Sequence, residues 1–496
     1  MQFISFRNFT AVSRSTVPVM PMNEFCTEIR TLVSRGLRVV LFFGMREPDG
    51  ITIYAVLADD ERSALYAGSS RITTDLTSYP SLTTDIPSIH LFERELWEET
   101  GIVPEGHPWL KPVRFGHGRH DSTELHQYPF FHMEGSAVHE VAVGPVHAGV
   151  IEPGHFRFQC TGETVHHLEI QLGYQHRGVE ELFCTGGSIL GKAALAESIA
   201  GDSALAHTLS YAQAVESLCG IESPIRAQYI RSLCLELERT AIHIGTLSAL
   251  ANDVGYLTGN AFFSARRTSV INALLLICGS RFGRGLIRTG GVQFDIDNAK
   301  AKRIVSILDG VLDDCIMMGE AMFDSAGVRS RFENTGVVSR DTAHAIGLVG
   351  VAAKASGLKR DVRSSHPSGA YRLTPVHTFS LPGGDVFTRA YIRFLEIQQS
   401  LRFVRETLQH LPGGELSRQP ERCAADSFAV SLNEGPRGEI AHAIVTGPKG
   451  TVVRYKVKDA SFHNWFGLAC ALREEGISDF PLCNKSFDLS YAGFDL

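Results

Sequence analysis

Leu172-Gly173-Tyr174-Gln175-His176-Arg177-Gly178-Val179-Glu180-Glu181 gathers an imidazole, a guanidinium and two carboxylates around two glycines. Its flanks differ in kind. On the N-terminal side, His155-Phe156-Arg157-Phe158-Gln159-Cys160 and Thr164 to Leu172 alternate apolar and polar residues across Gly162-Glu163, a pattern that predicts a β-hairpin. On the C-terminal side, from Gly178 to about Val328, apolar residues recur at helical spacing. The spacing predicts helices over 191–216, 224–254, 265–284, 297–324 and 340–356, and another over 385–410. The tail from Ala425 returns to strands, Ile440 to Val445 and Thr451 to Val457, followed by a helix from Phe462 to Arg473.

Further out, the N-terminal stretch mixes a helix (Glu24 to Ser34) with two strand-like runs, Leu37 to Phe43 and Ile51 to Leu57. They are joined by a turn at Pro48-Asp49-Gly50. Residues 60–90 are Ser/Thr-rich and weakly patterned. Leu91 to Thr100 reads as a short charged helix stopped by Gly101, and His107 to Gly135 as an extended arm. The fold class is therefore α+β. A small α+β domain spans 1–115, a linker 116–143, and a large helix-rich domain with flanking antiparallel strands 144–496.

With 496 residues, 44% of them hydrophobic, the chain has ample length for a large core. A net charge of −7 argues against nucleic acid as the main partner, because phosphate binding needs a basic surplus. No run of eighteen uninterrupted apolar residues predicts a membrane span, and Met1 to Met20 lacks the apolar stretch of a secretory signal. These readings place the chain in the cytoplasm, with a peripheral role on a membrane complex open to it. There are ten cysteines and no two stand three apart, so the close thiolate pairs that hold zinc or iron–sulfur sites are missing. They read as isolated buried thiols. No Gly-rich dinucleotide fingerprint follows a strand.

The motifs carry more. Leu91-Phe-Glu93-Arg94-Glu95-Leu-Trp97-Glu98-Glu99-Thr-Gly101-Ile102 followed by Glu105-Gly106-His107-Pro108 reads, on spacing alone, as a solvated charged helix face. It also resembles the small hydrophilic subunit of respiratory complex I, which docks against the quinone-site subunit. A second series runs through the large unit: Gly144-Pro145-Val-His147-Ala-Gly149, Glu152-Pro-Gly154-His155-Phe-Arg157, the opening stretch, Pro224-Ile-Arg226, Glu238-Arg239-x-x-x-His243, Arg288-Thr-Gly290-Gly291, Gly357-Leu-Lys-Arg360-Asp361-Val-Arg363 and Glu434-Gly-Pro436-Arg437-Gly438-Glu439. In this order the pieces resemble the large subunits of membrane-bound nickel–iron hydrogenases and the homologous quinone-site subunit of complex I. The match is nearest to the formate hydrogenlyase branch, which fuses both units in one chain.

Several of these residues suit a site. Arg177 and Arg437 sit beside glycines, which permit close backbone approach, and a fixed guanidinium suits an anionic or polarised group. Glu152 and Glu180 lie near His155 and His176, a mixture suited to proton relay; each imidazole reads equally as a hydrogen-bonded structural residue. Glu238, Arg239 and His243 read as a structural ion-pair cluster on one helix. The resemblance implies that Glu152 matches the hydrogenase glutamate that carries protons from the metal. It also implies that His147 matches the complex I histidine beside the quinone headgroup.

A nickel–iron centre needs two C-x-x-C pairs. The matching early stretch is Glu197-Ser-Ile-Ala200-Gly201-Asp202-Ser203, and the late one Ser486-Phe-Asp488-Leu-Ser490-Tyr-Ala-Gly493-Phe-Asp495-Leu496. Ala200, Ser203, Ser490 and Gly493 stand in the four cysteine places, and none offers a thiolate to a soft metal. No nickel–iron centre is expected. Gly201 takes the place of the complex I quinone tyrosine. The resemblance implies an oxidoreductase subunit on the cytoplasmic side of the inner membrane. Its partners would be an iron–sulfur small subunit and antiporter-like membrane subunits, and it would pass electrons from the partner's cluster to a quinone-like acceptor. Glu152, His155, His176 and Arg177 are the candidate catalytic residues; His147, Gly201, Asp202 and Arg437 are the candidates for binding the acceptor. The alternative is a coupling scaffold that keeps the fold without the chemistry.

Overall fold

The computed structural model describes residues 2–73, 77–147 and 151–496. The small unit opens on α1 (Met22–Ser34), whose buried Phe25, Ile29 and Leu32 fall on one helical stripe. This stripe covers an antiparallel meander of β1 (Arg38–Glu47), β2 (Gly50–Asp59) and β3 (Ala64–Thr73). Ile4–Phe6 pairs antiparallel with β3, and Val19–Met20 runs parallel beside it. β3 falls in the stretch read as weakly patterned. It is an inner strand, buried on both faces at Leu65–Ser70, so no alternation marks it.

α2 (His90–Thr100) ends where Gly101 turns left-handed, φ 84°. Its charges are not solvated. Glu93, Arg94, Glu95 and Glu98 are all buried, because each anchors a loop. The Glu93 carboxylate accepts from the Leu82 N–H (2.9 Å) and the Ser81 and Thr83 hydroxyls (2.6 Å each). Arg94 donates to the carbonyls of Lys111 (2.8 Å) and Pro112 (3.0 Å) and lies 4.5 Å over the Trp109 ring. Glu98 accepts three successive N–H groups, from Val113, Arg114 and Phe115. Charge on this helix organises backbone that has no secondary structure of its own.

The large unit begins with the expected hairpin of β5 (His155–Thr161) and β6 (Thr164–Gln171), and β4 (Val138–Val143), from the end of the stretch read as a linker, pairs antiparallel with β5. Then come α3 (Ala204–Cys219), α4 (Ile225–Asp253), α5 (Leu257–Cys278), α6 (Asn298–Asp324) and α7 (Val386–Gln409). α4 packs on α5 and α7, and α6 packs on the same two. α5 has the length and average apolarity of a membrane span. Arg266 and Arg267 interrupt it, and Arg266 pairs with Asp314 of α6 at 2.9 Å; its buried face belongs to the bundle.

Two expected helices are broken. The one over 191–216 stops at Ala196 and restarts at Ala204, leaving 197–203 as a loop around Gly201-Asp202-Ser203. The one over 340–356 breaks at Gly347, φ 76°, where a Cβ would come within 2.7 Å of the Ser88 side chain. α5 also starts earlier than expected and stops at Cys278, where Gly279 is left-handed, φ 75°.

The chain closes with β7 (Ser427–Gly435), β8 (Gly438–Thr446) and β9 (Val452–Lys458), then α8 (Ser461–Ala471) and α9 (Phe480–Phe487). α3 lies on β7 and β8. The N-terminal arm joins this sheet: Val12 and Ser13 pair with Phe428 and Ser427. The small and large units meet across a stack of Tyr54 on Phe428 (5.5 Å) and a set of buried ion pairs. Arg38 pairs with Glu439 (2.5 Å), Lys456 with Glu95 (2.6 Å) and Glu180 (3.1 Å), and Arg454 with Glu99 and Glu180 (3.1 Å each).

Candidate functional site

Ala200, Ser203, Ser490 and Gly493 lie on two segments, 197–203 and 486–496, and two arginines hold these segments together. Arg177 donates to the carbonyls of Ser198 (2.6 Å) and Ile199 (3.0 Å) on the early segment and to Ala492 (3.3 Å) on the late one. Its own N–H donates to the Leu496 carbonyl at 2.7 Å. Arg437 stands in the tight turn between β7 and β8. It grips Asp202 bidentately (2.9 and 2.8 Å), donates to the Ser203 hydroxyl (3.0 Å), and reaches the Asp488 backbone carbonyl and carboxylate. A bidentate guanidinium fixes orientation as well as charge. Burial alone would push the Asp202 carboxyl up, but the Arg437 charge and hydrogen bonds hold it below the usual range.

Glu152 joins this group. Its carboxylate accepts the Tyr491 N–H at 3.3 Å. Burial first, and the nearby Asp202 charge, raise its pKa, while the Tyr491 N–H and Arg437 oppose the shift. Gly201 is exposed, and a Cβ there would face the Arg284 guanidinium at 3.8 Å. The three histidines do not converge on these residues. His155 bonds the Gly144 carbonyl (3.0 Å), His147 the Gly154 carbonyl (2.9 Å) and His176 the Asp495 carbonyl (2.8 Å). Burial lowers the pKa of His155 and of His176. His147 borders residues 148–150, which lie outside the described residues.

The residues present do not fit a nickel–iron centre. Ala200 is fully buried with no donor atom. The Ser490 hydroxyl accepts the Gly493 N–H at 2.9 Å, and the Ser203 hydroxyl is taken by Arg437. A Cβ on Gly493 would lie 2.8 Å from Asp459 Cγ. The place is thus lined by Asp202, Asp459, Asp488 and serine oxygens, hard donors where soft thiolates would be required. Gly493→Ala is expected to cost about 1–3 kcal/mol through overpacking against Asp459. Denaturant unfolding measures this, and a loss below about 0.5 kcal/mol would show that the segment yields freely.

Asp459 is the site residue that sequence reasoning missed, and it ends a buried hydrogen-bonded string. Its Oδ2 lies 3.0 Å from His207 Nε2, His207 Nδ1 lies 3.1 Å from His442 Nε2, and His442 Nδ1 lies 2.7 Å from the Tyr455 hydroxyl. One proton arrangement satisfies all four. Burial pushes the Asp459 carboxyl up, but the His207 bond and charge together with the Ser461 hydrogen bonds outweigh it and bring the pKa to about 2, so the group is an acceptor only. With both imidazoles neutral, His207 donates from Nε2 and accepts at Nδ1, His442 donates from Nε2 and accepts at Nδ1, and Tyr455 donates. Desolvation keeps His442 neutral and the Tyr455 phenol protonated, in agreement. The signal was present in part: His207 stands four residues after Ser203, one helical turn into α3. Its partners come from strands more than two hundred residues away.

Glu238, Arg239 and His243 share α4 but serve different neighbours. Glu238 accepts the N–H groups of Leu205 (2.7 Å) and Ala206 (3.1 Å), Arg239 donates to the carbonyls of Glu434 (2.6 Å) and Gly435 (2.8 Å), and His243 meets Glu396 (2.8 Å). Desolvation raises Glu238 to about 8, Glu434 to about 7 and Asp495 to about 7. These folded values exceed the unfolded ones. The stability they confer is complete below about pH 4 and declines as pH rises through 7 to 8. Each group contributes a slope of up to about 1.4 kcal/mol per pH unit. Glu238→Gln is therefore expected to flatten the decline between pH 5 and 8 in a series of urea unfolding curves; an unchanged slope would show that Glu238 is ionised throughout.

At the seam of the two units lies a cavity of about 380 Å³ lined by Glu95, Glu99, Arg114, His176, Glu180 and Arg454 among others. The carboxylates of Glu95, Glu99 and Glu180 approach within 4.8 Å of one another. Arg114, Arg454 and Lys456 already neutralise them, three cations against three anions, and this accounts for the cluster without a metal ion.

A meander-bearing small unit docked on α2 charges, and a helix bundle capped by the β7–β8 turn, define an oxidoreductase subunit of the complex I and membrane-bound hydrogenase class. Family models agree: residues 38–126 match the 30 kDa subunit, and residues 253–428 the 49 kDa subunit, of respiratory-chain NADH dehydrogenase. The chain belongs to the family that fuses these two units. It is 30% identical over 461 residues to hydrogenase-4 component G of Escherichia coli K12, covering 89% of this chain and 80% of that one. It is 29% identical over 468 residues to formate hydrogenlyase subunit 5 of the same organism, covering 89% and 81%. An NADH-quinone oxidoreductase subunit of Carboxydothermus hydrogenoformans shares 31% over 326 residues, 65% of this chain and 85% of that one.

Proposed function

We propose that this chain accepts electrons from an iron–sulfur small subunit. It passes them to a quinone-like acceptor bound between segments 197–203 and 486–496, with no nickel–iron centre. Antiporter-like membrane subunits then couple the redox energy to ion translocation, and the chain sits peripherally on the cytoplasmic side of the membrane. One observation supports this reading: Arg177 and Arg437 hold segments 197–203 and 486–496 together, and the four positions read as thiolate places carry alanine, serine or glycine. A fixed guanidinium beside these segments suits a polarised acceptor. Reduction of a quinone consumes two electrons and two protons. Glu152, whose pKa burial raises, accepts the Tyr491 N–H on the late segment and is the candidate proton relay.

The test is quinone reduction by the purified complex with its iron–sulfur centres reduced. Arg177→Lys is expected to lower the rate at least ~10²-fold, the scale for losing a fixed polar contact at a reacting group, and His147→Ala to raise KM. Centres that reduce normally while no quinone is reduced would overturn the reading in favour of the coupling scaffold. That second reading draws on the complete engagement of both arginines with backbone and carboxylates. It expects both variants to leave activity unchanged.

A further inference from the structure

Most of the cysteines are enclosed singly, but two are not isolated. Cys219 is the last residue of α3, and Cys423 lies in the loop that leads into β7. Their sulfur atoms are 3.6 Å apart although the residues are 204 positions apart in sequence. Both are half-buried, with the flanking Gly220, Glu421, Arg422 and Ala424 exposed. The Ala424 N–H donates to the Leu218 carbonyl at 2.8 Å, so the loop is tied to the helix end beside the sulfur pair.

We infer that Cys219 and Cys423 form a reversible dithiol–disulfide modification site, oxidised by a low-molecular-weight disulfide of the glutathione type. The S–S bond is about 2.05 Å long, so the sulfurs must close by about 1.5 Å, a movement available to a loop exposed on both sides of Cys423. A metal is a poorer occupant: among the described residues no third His, Cys, Asp or Glu ligand atom joins the pair, and two thiolates do not complete a zinc site.

The chemistry balances as thiol–disulfide exchange. Cys423 lies in a loop with exposed residues on both sides, while Cys219 ends a helix, so Cys423 is the attacking thiolate. It displaces one small thiolate from the reagent and forms a mixed disulfide. Cys219, losing its proton to solvent, attacks the Cys423 sulfur and expels the second small thiol. Two protein thiols are oxidised, and one small disulfide is reduced to two thiols. The bridge ties the far ends of α3 and β7, the two elements whose near ends lead to Ser203 and Arg437.

This inference is independent of any electron acceptor. The full chain is incubated with oxidised glutathione, denatured without reductant and alkylated. Two fewer than its ten cysteines are expected to react, with peptides bearing 219 and 423 cross-linked, and dithiothreitol should restore all ten. Cys219→Ser should leave Cys423 as a mixed disulfide with glutathione, because the resolving thiol is gone. Ten reactive thiols after oxidation, a bridge mapping to another pair, or a loss of two thiols that persists in Cys219→Ser would each overturn it. The unmodified chain carries the first two outcomes, so they stand even if the serine variant fails to fold.

Discussion

Lys456→Met is expected to cost about 4 kcal/mol of unfolding free energy. Breaking one partner of a buried ion pair typically costs 3–5 kcal/mol, because the other charge is left without compensation. Lys456 is fully buried and, among the described residues, is the one cation that touches both Glu95 (2.6 Å) and Glu180 (3.1 Å). Glu95 comes from the small unit and Glu180 from the opening stretch of the large one, so the loss falls on the seam. The penalty is the stranded carboxylate rather than the missing attraction. Glu95→Gln in the same chain should therefore recover a large part of it, and a double-mutant cycle by denaturant unfolding reads that coupling. A single-variant loss under about 1 kcal/mol would show that water enters the seam and screens the charges.

Arg437→Met is the second large expectation, about 3 kcal/mol together with loss of any activity the pocket supports. The guanidinium is 7% exposed and neutralises both Asp202 and Asp488, but these carboxylates keep contact with water at 36% and 26%. The lower end of the buried-pair range therefore applies. Arg437→Lys separates charge from geometry. An ammonium keeps one attraction but cannot hold Asp202 bidentately while reaching Ser203, so stability should largely return while positioning of the 197–203 loop does not. If lysine restores both, the fork geometry has no role.

Much of the fold could be read from the chain because its signals are local. The hairpin at 155–172 alternates cleanly, and α4 announces itself over 224–254 by unbroken helical spacing. β3 escaped because an inner strand covered on both faces carries no alternation. The expected helix over 191–216 failed for a reason tied to the site: helix-favouring Ala and Leu residues flank Gly201-Asp202-Ser203 on both sides, and the break is stabilised from a distance by Arg177 and Arg437. The α2 carboxylates look like a solvated face because their spacing is helical, and the loops at 81–83 and 111–115 together with Arg454 and Lys456 of β9 turn that face inward. The site was less legible. The glycines beside Arg177 and Arg437 drew attention to them, but not to the segments they tie together, and nothing in the chain says that His147, His155 and His176 each bond a backbone carbonyl. A string such as Asp459–His207–His442–Tyr455 exists only after α3 is laid on β8, with β9 paired beside it.

Elemental nickel in the purified complex tests the central claim most directly, because Ala200, Ser203, Ser490 and Gly493 offer no soft donor to retain the metal. The expected result is nickel at background alongside iron from the partner's clusters. One nickel per chain, surviving gel filtration and a chelator, would contradict the account.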